Sequence, residues 1–126
     1  MDFSTYLEKF DYQERSNMRT NIDGLMQLLK LNQAQVIDIR FTDEAEAWGF
    51  DFITNIPINE LPSRLDELDK NKTIITVCPH SDRSSLARHF LTLKGFNCKY
   101  LSDGLVGLAS HLRGGAARDF VKSLNE

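Results

Sequence analysis

The stretch Thr73-Ile74-Ile75-Thr76-Val77-Cys78-Pro79-His80-Ser81-Asp82-Arg83-Ser84-Ser85 decides the reading of this chain. Residues 73–77 are all β-branched, which suits a pleated, buried surface and predicts a strand. Cys78 leaves that strand for a short polar loop. Ser84 then opens a run with helical spacing, in which Leu86, Phe90 and Leu93 share one face, and Gly95 is placed to end it. A thiol between a strand end and a helix start sits where backbone N–H groups and the helix dipole favour an anion, whether thiolate, persulfide or oxyanion.

Outward from this stretch, helices and strands alternate. Phe3, Tyr6, Leu7 and Phe10 fall at helical spacing and predict a short N-terminal helix laid on the domain. Thr20 is placed to cap a helix with Asp23 three residues on, an inward face of Ile22, Leu25, Met26, Leu28 and Leu29, and Lys30 in its last turn. Residues 36–39 read as a buried strand, 42–48 as a short helix stopped by Gly49, and 52–57 as a strand ended by Pro57. Asn59 can cap a helix with Leu61, Leu65 and Leu68 inward and Pro62 in its first turn. Residues 98–101 form a further strand. Gly104 and Gly107 flank a turn or brief helix, Gly114-Gly115 breaks the chain, and residues 117–124 form a last helix. The expected fold is α/β, with a central, mostly parallel sheet of about five strands and helices on both faces. Residues 1–19 form a helical N-terminal extension and residues 20–126 the domain. Ligands of such sheets bind outside the carboxyl ends of the strands, where Cys78 lies.

The chain of 126 residues, 41% hydrophobic and 26% charged, fits one globular domain with a single core. A net charge of -3 argues against nucleic-acid and membrane partners, which call for a basic surface. The early acids Asp2 and Glu8, and the short apolar runs, predict neither a signal peptide nor a membrane span. A cytoplasmic location is expected, with Cys78 and Cys98 as separate free thiols. Cys78, His80 and Cys98 do not form a zinc spacing, so no metal site is expected.

Between Cys78 and Arg83 stand Pro79, His80, Ser81 and Asp82. A loop this short can wrap its N–H groups around something the size of one sulfur atom on the cysteine. Tyrosine-type phosphatases place one more residue in this interval, which widens the ring enough to hold a phosphate.

With these residues in order, the sequence resembles the rhodanese family of sulfurtransferases over roughly residues 20–112. Val36-Ile37-Asp38-Ile39-Arg40 resembles the family's apolar strand ending in Asp-x-Arg. Residues 44–49 resemble the acidic helix and glycine that follow, and Asn55-Ile56-Pro57 the isoleucine–proline segment. Residues 78–84 match the active loop, and Gly95-Phe96 and Ser102-Asp103-Gly104 the closing segments. The chain departs from the pattern at Phe50, where relatives carry histidine, and at Leu108, where many carry tryptophan. Its loop has Pro79 and no glycine.

The resemblance implies a double displacement that needs no cofactor. The cysteine takes a sulfane sulfur from a small donor, thiosulfate or polysulfide, and passes it as a persulfide to a thiol or cyanide, or to a protein acceptor. Cys78 is then the nucleophile and Arg83 binds the anionic donor or the persulfide. Pro79, His80, Ser81, Asp82 and Ser84 line the substrate site. His80 can supply charge or a proton, and the Ser84 hydroxyl lies near the sulfur. Asp82 is expected to point outward, because its charge opposes a thiolate. Asp38 and Arg40 are supporting residues that brace the loop. Cys98 reads as a core strand residue, Trp48 as a packing aromatic, and His89 and His111 as helix-surface residues. The rival readings are a persulfide-carrying or sulfide-sensing module that serves a protein partner, and a small phosphatase or arsenate reductase.

Overall fold

Period-two alternation along the strands builds the core of this computed structural model, which covers residues 1–126. The strands are β1 (Arg19–Thr20), β2 (Ala34–Asp38), β3 (Thr54–Asn55), β4 (Thr73–Val77) and β5 (Cys98–Leu101). They form one sheet in the order β1-β5-β4-β2-β3, with every neighbouring pair parallel. The helices are α1 (Phe3–Glu8), α2 (Tyr12–Asn17), α3 (Ile22–Lys30), α4 (Thr42–Ala47), α5 (Asp82–Leu93), α6 (Gly104–His111) and α7 (Gly114–Leu124). On one face Ile37, Ile39, Ile74, Cys78 and Cys98 pack with Ala87 and Leu91 of α5. On the other, Val36, Ile75, Val77 and Leu101 pack with Leu25 of α3 and with Leu105 and Leu108 of α6. The alternation that sends Ile75 and Val77 to one side sends Ile74, Thr76 and Cys78 to the side of α5.

Several elements differ from the sequence reading. Thr20 lies in a strand, pairing with Leu101, and the cap of α3 is Asn21, whose side chain accepts the Gly24 N–H at 2.9 Å. The segment after Asn59 is two 3-10 turns, Leu61–Ser63 and Leu65–Glu67, which still bury Leu61 and Leu68. Of residues 52–57 only Thr54–Asn55 pairs in the sheet. Gly114 opens α7 at φ 53 and does not break the chain.

Helix α5 starts at Asp82, two residues before Ser84, and its buried residues are Ser84, Ala87, Arg88 and Leu91. Leu86 is 62% exposed, so the predicted inward face is rotated. The cause is Arg88, a charged residue that the helix places inside. Its Nε donates to the Cys98 carbonyl at 3.0 Å, one terminal nitrogen to the Tyr6 hydroxyl at 2.8 Å, and the other to Glu14 at 2.8 Å.

The N-terminal segment forms two short helices, each capped by an aspartate: Asp2 accepts from Thr5 N and Asp11 from Glu14 N. Tyr6 and Glu14 bind each other at 2.6 Å as well as Arg88. Burial opposes ionisation of Glu14, but the Tyr6 hydroxyl and Arg88 outweigh it and hold the carboxyl below its usual range. His89 is half-buried rather than free on the helix surface. Its Nδ1 is buried without a partner, the rings of Phe3 and Tyr6 lie 6.5 Å away, and burial lowers its pKa.

Candidate active site

Cys78 leaves β4 at the carboxyl edge of the sheet with its side chain fully buried. The Ser84 N–H, in the first turn of α5, donates to Cys78 Sγ at 3.3 Å, and the Ser84 hydroxyl lies 3.4 Å from the same sulfur. Ser84 is itself held in place. Its carbonyl accepts from Thr76 Oγ1 at 2.9 Å, and its hydroxyl reaches the Ser81 carbonyl at 3.3 Å. Strand, loop and helix therefore converge on one sulfur atom.

The other side of the loop rests on α6. Leu105 N donates to the Cys78 carbonyl at 2.8 Å and Val106 N to the Pro79 carbonyl at 3.2 Å. This approach needs glycine at position 104. Gly104 has φ 67, and a Cβ there would overlap the carbonyl oxygens of Pro79 and His80. A non-glycine residue in this region costs roughly 1–3 kcal/mol before any overlap is counted. Gly104→Ala should therefore lower stability by at least about 2 kcal/mol and displace the loop. Urea unfolding checks the first effect, and the rate of Cys78 alkylation the second.

Asp82 is exposed. It does not pair with Arg83, and its Oδ1 lies 3.8 Å from Cys78 Sγ. It is the first residue of α5, where the helix dipole favours a negative charge. Arg83 instead makes a two-pronged ion pair with Glu44 of α4, at 2.8 and 2.9 Å. The hydrogen bond from Arg83 pulls the Glu44 carboxyl down to about 2, against a smaller cost of burial, with the Phe41 N–H adding to the effect. The same pair raises the Arg83 pKa. His80 is exposed, and Pro79 and Ser81 are half-buried.

Asp38 and Arg40 brace α4 and do not touch the cysteine loop. The Arg40 guanidinium is buried, binds both oxygens of Asp38, and donates to the carbonyls of Glu44 at 3.2 Å and Trp48 at 2.7 Å. Trp48 is 42% exposed and packs its ring against that guanidinium at 4.6 Å. Asn55 donates to the carbonyls of Asp38 and Arg40, both at 2.9 Å, and ties β3 to the same corner. A continuous set of contacts thus runs from Asp38 through Arg40 and α4 to Glu44 and Arg83.

Cys98 is a buried core residue whose thiol is pushed by burial up to about 12. It lies opposite Ile74, so four residues of strand, about 13 Å, separate it from the level of Cys78. That exceeds the span of a disulfide, and both thiols are free. His111 is exposed at the end of α6. No three His, Cys, Asp or Glu side chains are grouped to hold a metal ion. No helix is long and apolar enough to cross a membrane.

Sequence reasoning missed the partner of Arg83 and the loop contact of Gly104. The clue to the second was a glycine beside Asp103, just past a strand. The first had none, since Glu44 and Arg83 are 39 residues apart in the chain.

The fold agrees with known structures. A rhodanese-related protein from Thermoplasma volcanium superposes with a TM-score of 0.65 at 26% identity, covering 74% of this chain and 92% of that one. The reduced CoADR-RHD protein of Bacillus anthracis superposes with a TM-score of 0.63 at 27% identity, over 72% of this chain but only 16% of that longer one. The human single-domain sulfurtransferase TSTD1, at 19% identity and a TM-score of 0.66, shares the fold over 73% of this chain and 95% of its own. No curated protein matches the chain at a significant level. The model of the rhodanese-like domain matches residues 21–111, which include the Asp38–Arg40 corner, the cysteine loop and the Gly104 contact, and the chain belongs to that family.

Proposed function

We propose that this domain is a sulfurtransferase that moves a sulfane sulfur from thiosulfate or polysulfide to a thiol, cyanide or a protein thiol, through a persulfide on Cys78. One observation carries the reading: Cys78 Sγ accepts the Ser84 N–H at the start of α5, inside a loop that reaches Arg83 after only four residues. Such a ring fits a sulfur anion and is narrow for a phosphoryl group, which argues against the phosphatase alternative.

In the first half-reaction the Cys78 thiolate attacks the outer sulfur of the donor. A new S–S bond forms on Cys78, the donor's bond to that sulfur breaks, and its electron pair leaves with the departing sulfite or shortened polysulfide. In the second half-reaction the acceptor attacks the outer persulfide sulfur, and the Cys78 thiolate leaves with the electron pair of the broken S–S bond. Ser84 supports both halves by donating to sulfur, and Arg83, held by Glu44, is the cation of the loop. Because the thiol is buried, residues 79–82 must give way to admit the donor. A reducing, cytoplasmic setting suits two thiols too far apart to bridge.

Intact-mass measurement after incubation with thiosulfate or polysulfide tests the proposal. The expected result is a gain of one sulfur located at Cys78 and discharged by cyanide or a thiol. The absence of an adduct with any donor overturns it.

A further inference from the structure

Arg83 already has a counterion, and this bears on which donor the site takes. Its guanidinium meets both carboxylate oxygens of Glu44 at 2.8 and 2.9 Å, a geometry that uses the face a thiosulfate or other oxyanion would occupy. The α4 carboxylate is tethered, so it competes at a high effective concentration that a dissolved anion must exceed. Glu44 is also anchored from behind. Its Oε2 accepts the Phe41 N–H at 3.0 Å, and its carbonyl accepts from the Asp38-bound Arg40. A second carboxylate, Asp82, stands 3.8 Å from the sulfur. Once Cys78 is ionised, the immediate surroundings carry three negative charges, on the thiolate, Asp82 and Glu44, against the single positive charge of Arg83.

We infer, resting on the sulfur-transfer reading, that Glu44 is a specificity-determining residue. By neutralising Arg83 it selects against dianionic donors such as thiosulfate, in favour of organic hydropersulfides of low net charge. The loading step with such a donor, RSSH, is redox-neutral overall. The Cys78 thiolate bonds to the outer sulfur, the RS–SH bond breaks, its electron pair leaves on RS⁻, and the proton passes from the transferred sulfur to RS⁻. The products are a Cys78 persulfide anion and RSH.

The test compares kcat/KM for thiosulfate and for cysteine hydropersulfide in the wild type, Glu44→Gln and Glu44→Asp. Glutamine retains an oxygen for the Phe41 N–H but removes the charge, and aspartate retains the charge. The thiosulfate-to-hydropersulfide ratio should favour hydropersulfide in the wild type. In Glu44→Gln it should rise at least about tenfold, equal to about 1.4 kcal/mol, through a lower KM for thiosulfate. In Glu44→Asp it should stay within about threefold of the wild type, less than half of that tenfold in free energy. A ratio that is unchanged in Glu44→Gln, or that rises equally in Glu44→Asp, overturns the inference while sulfur transfer stands. If neither donor adds sulfur to Cys78 in the wild type, the inference and the sulfur-transfer reading both fall.

Discussion

Replacement of Cys78 by serine should abolish sulfur loading while leaving the domain folded. The hydroxyl occupies nearly the space of the thiol and can accept the same Ser84 N–H, now 3.3 Å from the sulfur. A buried polar group that keeps its donor changes stability by about 1 kcal/mol, so the urea midpoint should move little. The chemistry has no such reserve. An alkoxide cannot form the disulfide-type bond on which both half-reactions depend, and loss of a nucleophile typically costs about 10³-fold or more in turnover. Intact mass should show no added sulfur in Cys78→Ser with any donor, and steady-state transfer should fall to background. Wild-type turnover in this variant would remove Cys78 from the reaction.

The largest loss of stability is expected at Asp38. Asp38→Ala leaves the Arg40 guanidinium, fully buried, without its counterion. Removal of one partner from a buried ion pair costs about 3–5 kcal/mol, because the remaining charge stays uncompensated. That is about a fifth or more of the total stability, since whole domains are held by only about 5–15 kcal/mol. The exposed pair of Arg64 and Glu67, with comparable distances, should by contrast contribute little, because solvent screens it. Urea unfolding of Asp38→Ala and Glu67→Ala makes the comparison. The double variant Asp38→Leu with Arg40→Met should be more stable than Asp38→Ala, because it removes both charges from the corner. An Asp38→Ala midpoint equal to the wild type would show that water reaches Arg40. Loss of this corner should also loosen α4 and so the grip of Glu44 on Arg83.

The βαβ alternation and the site of the cysteine were legible because strands buried on both faces demand runs such as 73–77, and a run of β-branched residues has a visible end. Asp38 and Arg40 were legible as support but not in their target. They hold α4, because the Arg40 side chain, just past β2, turns to the carbonyls of Glu44 and Trp48. The two-residue strand β1 gave no signal of its own. It is a strand only because Arg19 and Thr20 find Tyr100 and Leu101 in register. The inward face of α5 was misread for an energetic reason. Leu86 belongs inside by hydropathy, yet Arg88 takes the buried position because Tyr6, Glu14 and the Cys98 carbonyl satisfy its donors there.

What the sequence determined by itself is the layer order of the domain and the place of a thiol between strand and helix. Both follow from local periodicity and from residue types that act on their neighbours in the chain. Tertiary structure alone decided the partners of the charges: Glu44 on Arg83, Asp82 beside the sulfur, and Glu14 with Tyr6 on Arg88. Except for Asp82, those partners stand 39 to 82 residues apart in the chain. Electrostatic pairing depends on distance through space, which no spacing along the chain encodes.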